Sequence, residues 1–248
     1  MSRIASLVEQ IRNKESNVIL LDAGDIFQGT PYFNLFGGEI ELKLMSQMKY
    51  DASTMGNHDF DNGIDGFNNV LHNANFPFLC ANYDFDDTIL KGKTKPYHII
   101  EKQGIKIGIF GIGIELDGLV DPKLYGKTIY NDPITTANKY AKLLKEKHAC
   151  NAVICLSHLG YDYEDEILSD KVLAKETKNI DLIIGGHTHT FLDKAVTFSN
   201  KVGKPILVNQ AGWATLSLGR VDLYFNREKK RVDDLNTSFS SAKNYAKI

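Results

Sequence analysis

Short apolar runs alternate with amphipathic stretches for most of this chain, and several of the runs stop at a glycine-rich break. Ile4, Leu7, Val8 and Ile11 repeat at helical spacing, so residues 2 to about 14 read as a helix, followed by a strand at 18–22. Helices are predicted over about 39–49 and 63–74, and strands over 78–81, 97–102 and 105–110, the last two joined as a hairpin across Gln103-Gly104. Asp132 and Pro133 form a helix start, predicting a helix over 133–147. A strand at 152–156, a helix at 164–175 and a strand at 181–185 complete the alternation. The remainder is β-rich, with Ile206-Leu207-Val208, residues 214–225 and a turn at Arg227-Glu228-Lys229-Lys230. Alternation followed by hairpins predicts an α/β fold, a sandwich of two mixed β-sheets flanked by helices rather than a purely parallel wind.

Composition narrows the class. The 248 residues are 43% hydrophobic, enough for one sizeable core, and no linker or repeat divides them, so residues 1–248 read as a single domain. The 29 basic and 31 acidic residues are mixed along the chain, and no basic tract points to a nucleic-acid polymer. No apolar stretch approaches the roughly 20 residues that a membrane-spanning helix needs. The three cysteines, Cys80, Cys150 and Cys155, lack framework spacing and read as small core residues. Met1-Ser2-Arg3-Ile4 opens without the apolar core of an export signal.

The ends of four apolar runs carry the chemistry. They lead into Asp22-Ala23-Gly24-Asp25, Gly56-Asn57-His58-Asp59-Phe60-Asp61, Ser157-His158 and Gly185-Gly186-His187-Thr188-His189. In open α/β sheets ligands gather beyond the strands' carboxyl ends, which puts a carboxylate, an amide and four imidazoles on one rim. A lone Gly-Asp is more often a turn than a ligand, and a lone Ser-His more often a core or surface histidine. Four such endings in one chain are hard to produce by accident. Imidazoles favour transition metals, so two divalent ions (Zn, Mn, Fe or Co) are expected, with Asp25 as the shared anionic ligand. His58, next to Asn57, can face a phosphate and protonate a leaving oxygen, oriented by Asp61. His187 and His189, on one extended segment, can serve different metals. Trp213 reads as packing, and so do Tyr32, Phe33 and Phe36; Tyr161 and Tyr163 divide evenly between rim and surface. His72, His98 and His148 read as surface or satisfied residues.

These motifs, with Phe60-Asp61-Asn62-Gly63 and Gln28-Gly29-Thr30-Pro31, resemble the calcineurin-like metallophosphoesterases, and among them the catalytic domain of the 5′-nucleotidase and 2′,3′-cyclic-nucleotide phosphodiesterase family. The resemblance implies that Asp25 bridges the metals, that Asn57, His158 and His187 complete one site, and that His189 serves the other. It implies His58 with Asp61 as the catalytic dyad, and Asn57 with His58 at the substrate phosphate. The reaction implied is release of phosphate from nucleotides by attack of a metal-bound hydroxide, on a small-molecule substrate. The family opens with a strand ending in Asp-x-His, and no Asp-x-His occurs in this chain, so the second metal site is expected to be weak and upstream codons are expected to supply that strand. Family members commonly carry a C-terminal nucleoside-binding domain, expected here, if at all, as a separately encoded partner. The compartment is not fixed by this chain; a periplasmic or exported one is implied if an upstream signal exists. The rival reading is a non-catalytic metal-binding remnant or interaction module. A nuclease of the same superfamily is disfavoured by the lack of a basic groove.

Overall fold

In the computed structural model, which describes residues 2–165, 167–226 and 232–241, the molecule is built on a six-stranded mixed sheet. The α-helices among the described residues are α1 (Ser2–Lys14), α2 (Pro31–Phe36), α3 (Glu39–Gln47), α4 (Gly63–Val70), α5 (Pro122–Tyr125), α6 (Pro133–Lys142) and α7 (Asp170–Glu176). The strands are β1 (Tyr83–Asp84), β2 (Tyr97–Lys102), β3 (Ile105–Ile112), β4 (Ile129–Tyr130), β5 (Ala152–Ser157), β6 (Leu182–Gly185), β7 (Val196–Ser199), β8 (Pro205–Gln210), β9 (Ser217–Phe225) and β10 (Val232–Ser241). The main sheet runs β2-β3-β5-β6-β8-β7. Strands β3, β5, β6 and β8 are parallel, and antiparallel β2 and β7 close its two edges.

Alternation along β5 explains why both faces are covered. Ala152, Ile154 and Leu156 point to one apolar cluster, Val153 and Cys155 to another. The second cluster takes Ala137, Ala141 and Leu144 from α6 and its extension, and Leu173 and Ala174 from α7. The first takes Ile19, Leu21, Ala52 and Leu79 from a second β layer, and Val221, Leu223 and Phe225 from β9, which pairs with β10. Gly111 lies where the layers touch: a Cβ there would stand 1.8 Å from the Leu79 carbonyl oxygen. The two sheets flanked by helices are therefore present. A third cluster rich in phenylalanine, including Phe27, Phe60, Phe67 and Phe78, holds the helical region α2–α4 against the loops that follow the second layer.

Some boundaries differ from the sequence reading. Residues 18–22 and 78–81 form only single parallel bridges, Leu21 with Ala52, Ser53 with Phe78 and Leu79 with Lys95. Carboxylates take up backbone and hydroxyl donors there: Asp51 accepts from Leu20 N at 2.8 Å, and Asp22 from Gly24 N and the Ser53 hydroxyl, both at 2.9 Å. The helix expected at 164–175 begins at Asp170, because Asp170 N bonds the Gly160 carbonyl and Ser169 caps the first turn. The helix expected over 133–147 is α6 to Lys142, continued by a π turn at Leu143–Lys147; its Asp132 cap accepts from Thr135 N at 2.8 Å. The 97–102/105–110 hairpin forms, with Gln103 and Gly104 both left-handed. All three cysteines are buried and free. The turn at 227–230 lies outside the described residues. Among the described residues no helix is long and apolar enough to cross a membrane.

One buried acid in this frame has a stability consequence. The Asp170 carboxyl is fully buried under β6, its Oδ2 1.9 Å from where a Gly185 Cβ would lie, and neither oxygen has a hydrogen bond of sound geometry. Burial pushes its pKa up to about 8, against the Ser157 hydroxyl and the charge of His158. A raised carboxyl keeps its proton in the folded state and loses it in the unfolded chain. Unfolding free energy should therefore fall as pH rises from about 4 to 8, by up to about 1.4 kcal/mol per pH unit. Urea denaturation across that range should show a fall, and Asp170→Asn should make it shallower, most clearly between about pH 7 and 8.

Candidate metal centre

The four parallel strands end in register, Ile112 beside Ser157, Ser157 beside Gly185 and Gly185 beside Gln210. That alignment delivers His158, His187 and His189 to one rim. Asp25 and the Gly56-Asn57-His58 loop reach the same rim from the second layer. Donor atoms of Asp25, His158 and His187 lie within 4.8 Å of one another. Asn57 Oδ1 is 2.9 Å from His187 Nδ1, and the His158 and His187 rings meet edge to face at 5.3 Å. Gly56 makes room for this approach, since a Cβ there would sit 2.3 Å from Asp25 Oδ1 and 2.5 Å from His158 Nε2.

The donor set fits a cation. His158 Nδ1 lies 2.6 Å from the Ala23 carbonyl, which can only accept, so Nδ1 carries a proton and, in the neutral ring, Nε2 holds the lone pair. That Nε2 lies 2.9 Å from Asp25 Oδ2 yet is buried without a hydrogen bond of sound geometry. A lone pair and a carboxylate oxygen thus converge on one point, as ligands of a positive ion do. Burial opposes a charge on His158, but the neighbouring Asp25 outweighs it and raises the pKa. Burial likewise opposes the charge of Asp25, and His158 together with the His58 N–H still holds its carboxyl below the usual range. His187 falls to about 4 through burial and the charge of His158, and so stays neutral and free to ligate.

His58 stands beside this cradle. Its backbone N–H donates to Asp25 Oδ1 at 2.8 Å, and its Nδ1 is 2.9 Å from Asp61 Oδ2, leaving Nε2 without a partner on the half-exposed side of the site. His189 is not in the cluster; its ring stacks on Trp213 at 5.3 Å and 10°. The His187-Thr188-His189 segment is not extended, because both histidines adopt left-handed φ, 69° and 54°. Gln210 fastens this turn: its Nε2 donates to the Gly186 carbonyl at 2.6 Å, and its Oε1 accepts from the Thr190 N–H and the Thr188 hydroxyl. Trp213 is 54% exposed and so is not core packing. Phe33 packs inside, whereas Tyr32 and Phe36 are exposed. His148, read as a surface or satisfied residue, has its Nε2 3.1 Å from the Tyr97 hydroxyl.

The residue that sequence reasoning missed is Asp59. It is fully buried, and its carboxylate accepts from Asp25 N (3.0 Å), Ile26 N (3.0 Å), Phe27 N (3.4 Å) and Gly56 N (2.8 Å). Burial, with the nearby charge of Asp25, pushes its carboxyl up to about 7 against the Gly56 N–H bond. Its main partners, Asp25, Ile26 and Phe27, lie 32–34 residues away, so nothing local in the sequence marks its role.

Comparison with known proteins places this rim in context. The family profile of the calcineurin-like phosphoesterases matches residues 1–191. The chain belongs to the calcineurin-like phosphoesterase family. Among curated relatives of this phosphoesterase, the trifunctional nucleotide phosphoesterase YfkN of Bacillus subtilis is 34% identical over 92% of the chain and 17% of its own length. Human 5′-nucleotidase is 34% identical over 77% of the chain and 33% of its own length. Thus the phosphoesterase chain spans a third or less of these two relatives. Among solved structures, the 5′-nucleotidase precursor of Thermus thermophilus superposes with a TM-score of 0.87 at 30% identity, covering 96% of this chain and 48% of that one. The YfkN crystal structure gives 0.82 at 27% identity, covering 100% and 84%.

Asp59 offers a test of how the phosphoesterase rim is held. Asp59→Ala would leave four backbone donors in search of acceptors, each worth about 1–3 kcal/mol if buried and unpaired. Denaturation should show a loss of at least about 3 kcal/mol, and titration with Mn²⁺ a 10- to 100-fold weaker affinity. Wild-type stability and affinity in this variant would refute the role.

Proposed function

We propose that this chain is a metal-dependent phosphomonoesterase of the 5′-nucleotidase type, formed as one catalytic domain over residues 1–248. The observation that carries the reading is the convergence of Asp25, His158, His187 and Asn57 on one point, with the His58–Asp61 pair at its edge. Relatives named 5′-nucleotidase and nucleotide phosphoesterase support a nucleotide as substrate. Divalent ions bound here would supply charge neutralisation for the phosphate and an acidified water. Asp25, Asn57, His158 and His187 form the stronger ligand set. Asp25 and His189 form a second set of only two, so the second ion is held more weakly in this chain. A separate nucleoside-binding partner and an exported location fit the same reading, the latter in keeping with relatives named for snake venom.

The residues divide the work. Asn57 and the His58 side chain orient the phosphate. Asp61 accepts from His58 Nδ1, which fixes the ring and leaves Nε2 to hand a proton to the departing ester oxygen. His158, 0% exposed, cannot reach solvent and is a ligand rather than an acid.

That division is measurable with AMP as substrate and metal analysis of the purified protein. His58→Asn should lower kcat by about 10²- to 10⁴-fold while metal content stays near that of the wild type. His158→Asn should strip the metal. A His58→Asn protein that loses metal as completely as His158→Asn would overturn the assignment.

A further inference from the structure

One group on the rim has no part in the hydrolysis as described. Trp213, the single tryptophan of the chain, lies with its indole parallel to the His189 imidazole, 5.3 Å between centroids. One face is covered by that ring, and the residue as a whole is 54% exposed. The indole is held rather than draped. Gly212 N donates to the Thr190 carbonyl at 2.9 Å, Phe191 bridges Ala211, and Leu216 N closes a turn onto the Trp213 carbonyl at 3.1 Å. Gly212 itself, at φ 74°, lies against the Phe191 ring, where a Cβ would come within 2.2 Å. Ala214 and Thr215 both hold left-handed φ, 55° and 56°, an arrangement that costs conformational energy and is found where a side chain must be aimed.

We propose that Trp213 is a stacking platform for the nucleobase of the substrate, built into this chain beside the phosphate site. The inference rests on the hydrolase reading and names its substrate-recognition residue. A planar, half-exposed aromatic stacked on His189, two residues along the chain from His187, offers a flat apolar face where the leaving nucleoside of a nucleotide would lie. Stacking is tolerant of base identity, so the platform selects nucleotides over simple phosphoesters without choosing among bases.

Because there is one tryptophan, its fluorescence reports on this position alone. In the presence of Mn²⁺, AMP should quench the emission saturably and ribose 5-phosphate should not. In kinetics, the ratio of kcat/KM for AMP over β-glycerophosphate should fall about 5- to 150-fold in Trp213→Ala, the range that base–aromatic stacking confers, and should be largely restored in Trp213→Phe. Equal quenching by AMP and ribose 5-phosphate, no quenching by either, or an unchanged ratio would overturn the proposal. A wild-type protein that hydrolyses neither ester would refute the hydrolase reading, and quenching by AMP would then decide the platform on its own.

Discussion

Three buried or half-buried carboxylates crowd one corner of this molecule, and the site depends on how their repulsion is relieved. Burial raises the carboxyls of Asp22 and Asp59, and the charge of Asp25 adds to both shifts. Asp59 spends its charge on four backbone N–H groups, Asp22 on a glycine N–H and a serine hydroxyl. Asp25 is left facing His158 and His187. The same hydrogen bonds that neutralise Asp59 also tie the Asp25 turn to the Gly56 turn, so the electrostatic solution and the positioning of the ligands are one arrangement. A cation between Asp25 and His158 would complete it, because it would answer both the carboxylate and the imidazole lone pair.

The main sheet contributes rigidity. Its four parallel strands terminate in register, so His158 and His187 leave adjacent strands at the same height. Left-handed backbone at Asp25, His187 and His189 turns side chains back over the strand ends, and such conformations persist only where the surroundings impose them. At the histidine turn the imposition comes from Gln210 on the next strand, at Asp25 from Asp59. Glycine does the remaining steric work at Gly56, where no side chain fits between Asp25 and His158.

Much of this was legible in the sequence, for physical reasons that also mark where it stopped. Strands β5 and β6 are uninterrupted apolar runs ending in serine and glycine, and burial on both faces leaves little else they can be. The Asp132-Pro133 start of α6 and the Gln103-Gly104 turn rest on local backbone chemistry and were readable for that reason. Segments whose hydrogen bonds go to distant side chains were not. Leu20 N gives its bond to the Asp51 carboxylate, and the start of α7 is set by the Gly160 carbonyl. Within the site, residue types expected to bind metal were readable from their place at strand ends. Asp59, Gln210 and Trp213 were not, because each acts through a partner far away in sequence.

The central claim is that Asp25, His158, His187 and Asn57 form one cation site. The direct measurement is anomalous diffraction from crystals of this chain grown with Mn²⁺, recorded near the metal edge. The account predicts that the strongest anomalous peak lies within bonding distance of His158 Nε2 and the Asp25 carboxylate. An empty cradle at saturating Mn²⁺, or a strongest peak elsewhere on the chain, would contradict it.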